Sequence, residues 1–178
     1  INGGKMIKSK GWDWKIVKDD IDCPWKIPSV ESYYLLNRWE NLNFKNFLDL
    51  GCGLGRHTVL FAENGFNVSG FDISKEGIRK TKEWLKNLDL KADLKVGDML
   101  ELPYENESFD CILCRNVISH QDTEGVKQII KELYRVLKNN GECYLTLGSK
   151  STWGFKQDSW PLVDENTRLR MEEGPEYK

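Results

Sequence analysis

The chain has 178 residues, with 26 Lys and Arg against 28 Asp and Glu, a formal net charge of −2, and 39 % hydrophobic residues. That length suits one domain with a real core, and the near-neutral balance gives no general pull toward nucleic acid or an anionic membrane. No apolar run reaches the ~18 residues of a membrane span. Five cysteines, an odd number in a domain of ordinary size, read as free thiols in a reducing, cytoplasmic compartment. No signal-peptide pattern is present, and the first residue is Ile1 rather than Met.

In chain order, residues 1–28 are irregular and rich in lysine and tryptophan. Lys5, Lys8, Lys10, Lys15 and Lys18 make this end locally basic, as a solvated arm would be. Trp12, Trp14 and Trp25 each carry a large apolar area that favours burial. The arm is therefore expected to lie as a lid across the site described next. Ser29 caps a predicted helix to about Asn41, with Val30, Tyr33, Tyr34 and Trp39 as its apolar surface. Tyr33 and Trp39 are expected in the core. These 43 residues form a first, N-terminal section.

Residues 44–74 carry the strongest pattern. Phe47, Leu48 and Leu50 read as a buried parallel strand; Gly51, Gly53 and Gly55 follow at once, then an amphipathic segment over 58–64. A second strand over 66–71 ends in Asp72, 21 positions after Gly51. Glycines let a ligand approach the backbone, and a helix beginning near Gly55 turns its free N–H groups to the same place. An acid at the tip of the second strand accepts both hydroxyls of a ribose. The dinucleotide fingerprint G-x-G-x-x-G is not met, because Arg56 stands where its third glycine belongs. The pattern is D-x-G-x-G-x-G, with Asp49 before the turn. An acid there repels a pyrophosphate but suits a ligand carrying an ammonium and a sulfonium.

On these residues, LDLGCGLGRHT above all, the chain resembles the class I S-adenosylmethionine-dependent methyltransferases, in their small-molecule, TehB/UbiE-like branch. The resemblance covers about 49–149. It implies a doubly wound, mostly parallel Rossmann-like α/β sheet with helices on both faces. It also implies S-adenosylmethionine as cofactor, S-adenosylhomocysteine as product, and cofactor contacts from Asp49, Gly51, Cys52, Gly53, Gly55, Asp72, Ile73, Asp98, Met99 and Arg115. Arg115 would offer its carbonyl to the methionyl amino group, Asp98 would meet the adenine amino group, and Met99 or Ile73 would pack on the ring. The alternative for Asp98 is a loop acid bonding its own backbone, and with Asp72 already placed the ligand role is favoured.

Ser74 caps the next predicted helix, which runs to about Asn87 with Ile78, Trp84, Leu85 and Leu88. Ala92, Leu94 and Val96 alternate with polar residues, as on an edge strand. A continuous apolar strand over 109–114 follows. Its Cys111 and Cys114 form a CxxC whose members face opposite sides, so packing thiols are expected rather than a redox or zinc pair. Residues 115–120 lie at its carboxyl end, the active edge of such a sheet. They lack the D/N-P-P-Y/F signature of exocyclic base methylation, and no nucleic acid substrate is expected. Asp122 or Thr123 caps a helix in which Val126, Ile129, Ile130, Leu133 and Leu137 keep a 3.6 period, with 138–141 as its C-cap. A fifth strand lies within 142–149, closing a cofactor-binding core over 44–149.

The remaining section, 150–178, has one strand-like piece at 167–171. The resembled family completes a seven-stranded sheet in the order 3-2-1-4-5-7-6, and this tail is too short and polar to supply the last antiparallel pair. The fifth strand would then be an exposed edge, because the chain is incompletely represented or because a partner covers it. A covering partner predicts a homodimer rather than a monomer.

His120, a histidine at the active edge, is the candidate general base, with its unperturbed pKa near 6.5; packing in a loop is the other reading. His57, just inside the first helix, reads as structural. No metal site is expected. Three functions stand: methyl transfer to the O, N or S of a small-molecule acceptor, nicotinamide-dependent oxidoreduction, and non-catalytic S-adenosylmethionine binding. Asp49 and the missing glycine oppose the second. Tryptophans in the arm, with Trp153 and Trp160 in the tail, hint at an apolar or aromatic acceptor, and core or lid packing explains them as well.

Overall fold

The computed structural model describes residue 9, residues 11–15, residue 17 and residues 23–169. Lys5, Lys8, Lys10 and Lys18 of the basic arm, and positions 170 and 171 of the expected last strand, lie outside the described residues.

Strands and helices alternate: α1 (Val30–Asn41), β1 (Asn46–Leu50), α2 (Arg56–Glu63), β2 (Asn67–Asp72), α3 (Lys75–Asn87), β3 (Asp93–Val96), β4 (Phe109–Cys114), α4 (Thr123–Val136) and β5 (Leu137–Leu145). The five strands form one sheet in the order β3-β2-β1-β4-β5, and every neighbouring pair is parallel. The order reverses beside β1. The carboxyl ends of β1, β2 and β4 therefore flank the crevice where such sheets take ligands. β3 is an edge, as its alternation implied, and Val96 is exposed.

The central strands are near-continuous apolar runs because both faces of the sheet are covered. On one side Leu48, Leu50, Ile112 and Cys114 pack with Ile129, Leu133 and Val136 of α4. On the other, Phe47, Cys111 and Leu113 pack with Leu35, Leu36 and Trp39 of α1 and with Leu60 and Phe61 of α2. Cys111 and Cys114 thus face opposite layers, and all five cysteines are free thiols. Phe47 and Phe61 stack with ring centroids 3.9 Å apart.

Two expectations about helix faces need correction. α1 buries Ser32, Leu35, Leu36 and Trp39, whereas Val30, Tyr33 and Tyr34 are exposed. Apolar residues lie on both sides of this helix, so its period did not select a face. The deciding contacts are distant: Trp39 Nε1 donates to Glu142 at 2.9 Å and Arg38 Nε to the same carboxylate at 2.8 Å, tying α1 to β5. Ile130 of α4 is likewise exposed. The expected C-cap at 138–141 is not one. α4 ends at Val136, Leu137 pairs at once with Phe109, and the register then shifts so that Glu142 pairs with Cys111. The positive φ of Asn140 (64°) belongs to that irregularity within β5 rather than to a helix end.

Of the N-caps read from the sequence, Ser29 stands at the start of α1 but its side chain makes no capping hydrogen bond, its hydroxyl lying 3.2 Å from His57 Nε2, whereas the other two cap as expected. Ser74 Oγ accepts from Gly77 N–H at 3.2 Å, and Asp122 Oδ1 from Gly125 N–H at 2.8 Å. Among the described residues β5 is the second sheet edge. The described part of the tail does not pair with it but forms its own antiparallel hairpin, β6 (Leu162–Asp164) and β7 (Thr167–Arg168). Asp164 accepts from the Thr123 N–H at 2.9 Å, which docks that hairpin on the start of α4.

Candidate functional site

A cavity of about 450 Å³ opens over the carboxyl ends of β1, β2, β4 and β5. A smaller pocket of about 40 Å³ adjoins it and shares Gly51, Asp72, Ile73, Met99, Val117 and His120 with it. Of the residues singled out in the sequence, Asp49, Gly51, Cys52, Gly53, Asp72, Ile73, Met99, Arg115 and His120 line the larger space, and Asp98 lines the smaller one. Gly55 lies one step back, as the N-cap of α2 against Thr81.

At two places that line the cavity the turn after β1 needs glycine. Gly51 has φ of 74° and Gly53 of 56°, a region that L side chains rarely adopt. A Cβ on Gly51 would stand 2.3 Å from a Val117 methyl carbon, and one on Gly53 2.8 Å from the Trp14 ring. The resulting backbone satisfies its own donors. Gly51 and Cys52 N–H both reach the Phe71 carbonyl at 2.7 and 3.1 Å, and Gly55 N–H reaches the Cys52 carbonyl at 2.8 Å. Gly53 N–H donates to Asp72 Oδ2 at 2.8 Å, and Ser74 N–H to Oδ1 of the same carboxylate at 2.7 Å. An anion would therefore find these donors already engaged.

Asp49 sits at the floor, 2 % exposed, with Oδ2 accepting from the Thr58 hydroxyl at 2.7 Å. Burial pushes its carboxyl up to about 6, opposed by the Thr58 hydrogen bonds and by Arg56. Burial also raises Asp72, against the two N–H groups that favour its charged form, and raises the Cys52 thiol well above its ordinary value. His57, buried behind Asp49, has Nε2 accepting from Ser29 N–H at 3.3 Å, which leaves the proton on Nδ1, 4.0 Å from Asp49 Oδ1. Burial, Arg56 and Arg115 lower its pKa to about 3, so a neutral ring braces the carboxylate.

Sequence reasoning missed Arg56, treating it only as an absent glycine. Its side chain lines the cavity, and burial together with the neighbouring Arg115 charge lowers its pKa. Arg115 Nε is buried, has no hydrogen bond among the described residues, and lies 3.6 Å from Glu31 Oε2. Two guanidinium groups so placed suit a ligand carboxylate.

Asp98 Oδ1 accepts from Leu100 N–H at 3.0 Å, the self-bonding loop geometry, while its side chain also borders the smaller pocket beside Ile73 and Met99. His120 ends a short 3-10 turn, Ile118–His120, at the active edge; Asn116 nearby holds φ of 57° and its N–H donates to Thr146 Oγ1 at 2.7 Å. Trp12, Trp14 and Trp25 also line the cavity. No helix among the described residues is long and apolar enough to cross a membrane.

The family model for a methyltransferase domain matches residues 47–141, more than half of the chain. A demethylmenaquinone methyltransferase of Lactobacillus johnsonii is 30 % identical over 129 residues, 65 % of this chain and 52 % of that protein. A norajmaline N-methyltransferase of Rauvolfia serpentina is 38 % identical over 96 residues, 52 % of this chain and 32 % of that protein. The crystal structure of a protein from Pyrococcus horikoshii OT3 superposes with a TM-score of 0.56 at 32 % identity, covering 67 % of this chain and 59 % of that one. The chain thus spans about half or less of the length of these curated relatives. With its glycine turn, flanking carboxylates and strand order, the chain belongs to the class I S-adenosylmethionine-dependent methyltransferase family.

Proposed function

We propose that this chain binds S-adenosylmethionine and transfers its methyl group to a small-molecule nucleophile. The observation that carries the reading is the floor of the cavity. Four N–H groups of the glycine turn are engaged within the protein, and the buried Asp49 carboxylate faces the same space. That environment favours a ligand with ammonium and sulfonium charges over the pyrophosphate of a nicotinamide cofactor. In this reading Asp72 accepts from the ribose hydroxyls, Ile73 and Met99 pack on the adenine, and Asp98 borders its amino edge; their shared position around the two adjoining pockets supports it. Arg56 and Arg115 would take the methionyl carboxylate.

The cofactor supplies an electrophilic methyl and a neutral thioether leaving group, so the protein's task is alignment and exclusion of water. Asp49 and the arginine pair hold the two ends of the amino-acid portion, and the tryptophan wall keeps the space dry. In this reading His120, which lines the cavity, receives the proton that the nucleophile loses. The names of the relatives support a small organic acceptor, one acting on demethylmenaquinone and one on norajmaline.

The test is incubation with methyl-labelled S-adenosylmethionine and a panel of phenols, amines and thiols. Label in the acceptor with one S-adenosylhomocysteine formed per methyl transferred is the expected result. Cofactor binding without transfer to any acceptor would overturn the catalytic part of the reading.

A further inference from the structure

We infer that Glu31 is a specificity-determining residue of the cofactor site, the counter-ion that makes the arginine pair take a zwitterionic chain in preference to an anionic one. The inference rests on the methyl-transfer reading above and adds the residue that sets its charge selectivity. The approach to α1 meets the cavity at every second residue. The Ile27 carbonyl accepts from Arg56 Nη1 at 3.3 Å, Ser29 N–H donates to His57 Nε2 at 3.3 Å, and Glu31 Oε2 lies 3.6 Å from Arg115 Nε. Arg56, His57 and Arg115 all line the cavity. Glu31 does not line it and acts across Arg115.

Two guanidinium groups beside one cavity repel each other, and the repulsion is visible on Arg56. Burial and the Arg115 charge push its pKa down, while Asp49 and Glu31 push it up. Glu31 is ionised at neutral pH, its carboxyl held below the ordinary value by a hydrogen bond from its own backbone, by Ser29 and by Arg115. Asp49 answers the ammonium end of the ligand, which leaves Glu31 as the carboxylate set against the arginines. Two guanidinium groups less one carboxylate leave a single positive charge, the match for one ligand carboxylate. Without Glu31 the surplus doubles, and an anion that carries no ammonium gains. Specificity is a difference of affinities, and a fixed charge that repels the wrong ligand contributes as surely as a contact to the right one.

The test is calorimetric competition against S-adenosylhomocysteine on the whole chain at low salt, with three of its analogues as probes. Desamino-S-adenosylhomocysteine keeps only the carboxylate, the decarboxylated form keeps only the ammonium, and methylthioadenosine carries neither. Glu31→Gln removes the charge at nearly constant shape. It should bind the desamino form about threefold more tightly and the decarboxylated form about threefold more weakly, so that their ratio moves about tenfold, with methylthioadenosine unchanged. The scale is modest because the Glu31 side chain is 41 % exposed, and both shifts should shrink when salt is added. Glu31→Asp keeps the charge and should keep the wild-type order of ligands. Shifts of the two charged analogues in the same direction, as loss of a merely structural contact would give, would overturn the inference. So would a change in methylthioadenosine affinity, no change with any probe, or an Asp variant that behaves as the Gln variant does. Failure of wild type to bind S-adenosylhomocysteine overturns the methyl-transfer reading itself; its binding without the opposed shifts overturns only the role of Glu31.

Discussion

The two walls of the cavity are made in different ways. The floor, from β1 and β2, is assembled within residues 49–74, and each polar group answers a near neighbour: Gly53 N–H with Asp72, Thr58 with Asp49, Ser74 N–H with Asp72. The roof brings together Trp12 and Trp14 from the arm, Trp25 from a short 3-10 turn, and His120 from the segment after β4. Short-range geometry demands particular residue types at fixed spacing. A roof gathered from distant segments needs only bulk and shape. On the proposed reading, the floor holds the cofactor and the roof meets the acceptor.

Substituting the floor should have the largest effect. Gly53→Val places a β-branched residue at φ of 56° and drives its side chain into Trp14. It is expected to cost about 2–4 kcal/mol of stability and to abolish detectable cofactor binding, read by denaturant unfolding and calorimetry. Retained binding would show that the turn is not a contact surface. Next comes Asp49→Asn, expected to weaken S-adenosylmethionine about 100-fold, on the scale of losing one partner of a buried charge pair.

Asp49 also gives the floor a pH signature. Its carboxyl titrates near 6, and a cationic ligand favours the ionised form. Wild-type affinity should then rise about tenfold between pH 5 and 7 and level off above, whereas Asp49→Asn should stay flat. A flat wild-type profile would remove Asp49 from the cation contact.

His120→Asn tests the roof side of the reaction. Turnover should fall about 100-fold, the lower range for general-base catalysis, with S-adenosylhomocysteine affinity within twofold. Unchanged turnover would return His120 to a packing role. The smallest effect is expected from Arg56→Met: about tenfold weaker S-adenosylmethionine but unchanged binding of decarboxylated S-adenosylmethionine, which has no carboxylate to grip. Equal losses for both ligands would argue against the carboxylate contact.

The same contrast explains what could be read before the fold was known. The apolar strands, the glycine turn, Asp49, Asp72 and the Ser74 and Asp122 caps were legible because each is fixed by residues a few positions away. Arg56 was in plain view within the motif, but only the arrival of Arg115 from just after β4 gives it a partner in chemistry. α1 was misread because Glu142, over a hundred residues later, decides which face turns inward. The Asn140–Gly141 pair has the composition of a helix stop, yet pairing with β4 claims those residues for a strand. The arm's tryptophans announced burial and an arm lying against the site, and Trp12, Trp14 and Trp25 do line the cavity.

The central claim is that the floor selects an adenosyl ligand bearing positive charge rather than a dinucleotide. The most direct measurement is thermal unfolding in parallel with S-adenosylmethionine, S-adenosylhomocysteine and NAD. At about 100 times its Kd a ligand adds roughly 2.7 kcal/mol to the native state, which for a chain of this size raises Tm by about 5–10 °C. Shifts of that size with the two adenosyl ligands and none with NAD are expected. A shift with NAD alone, or none with either adenosyl ligand, would contradict the claim.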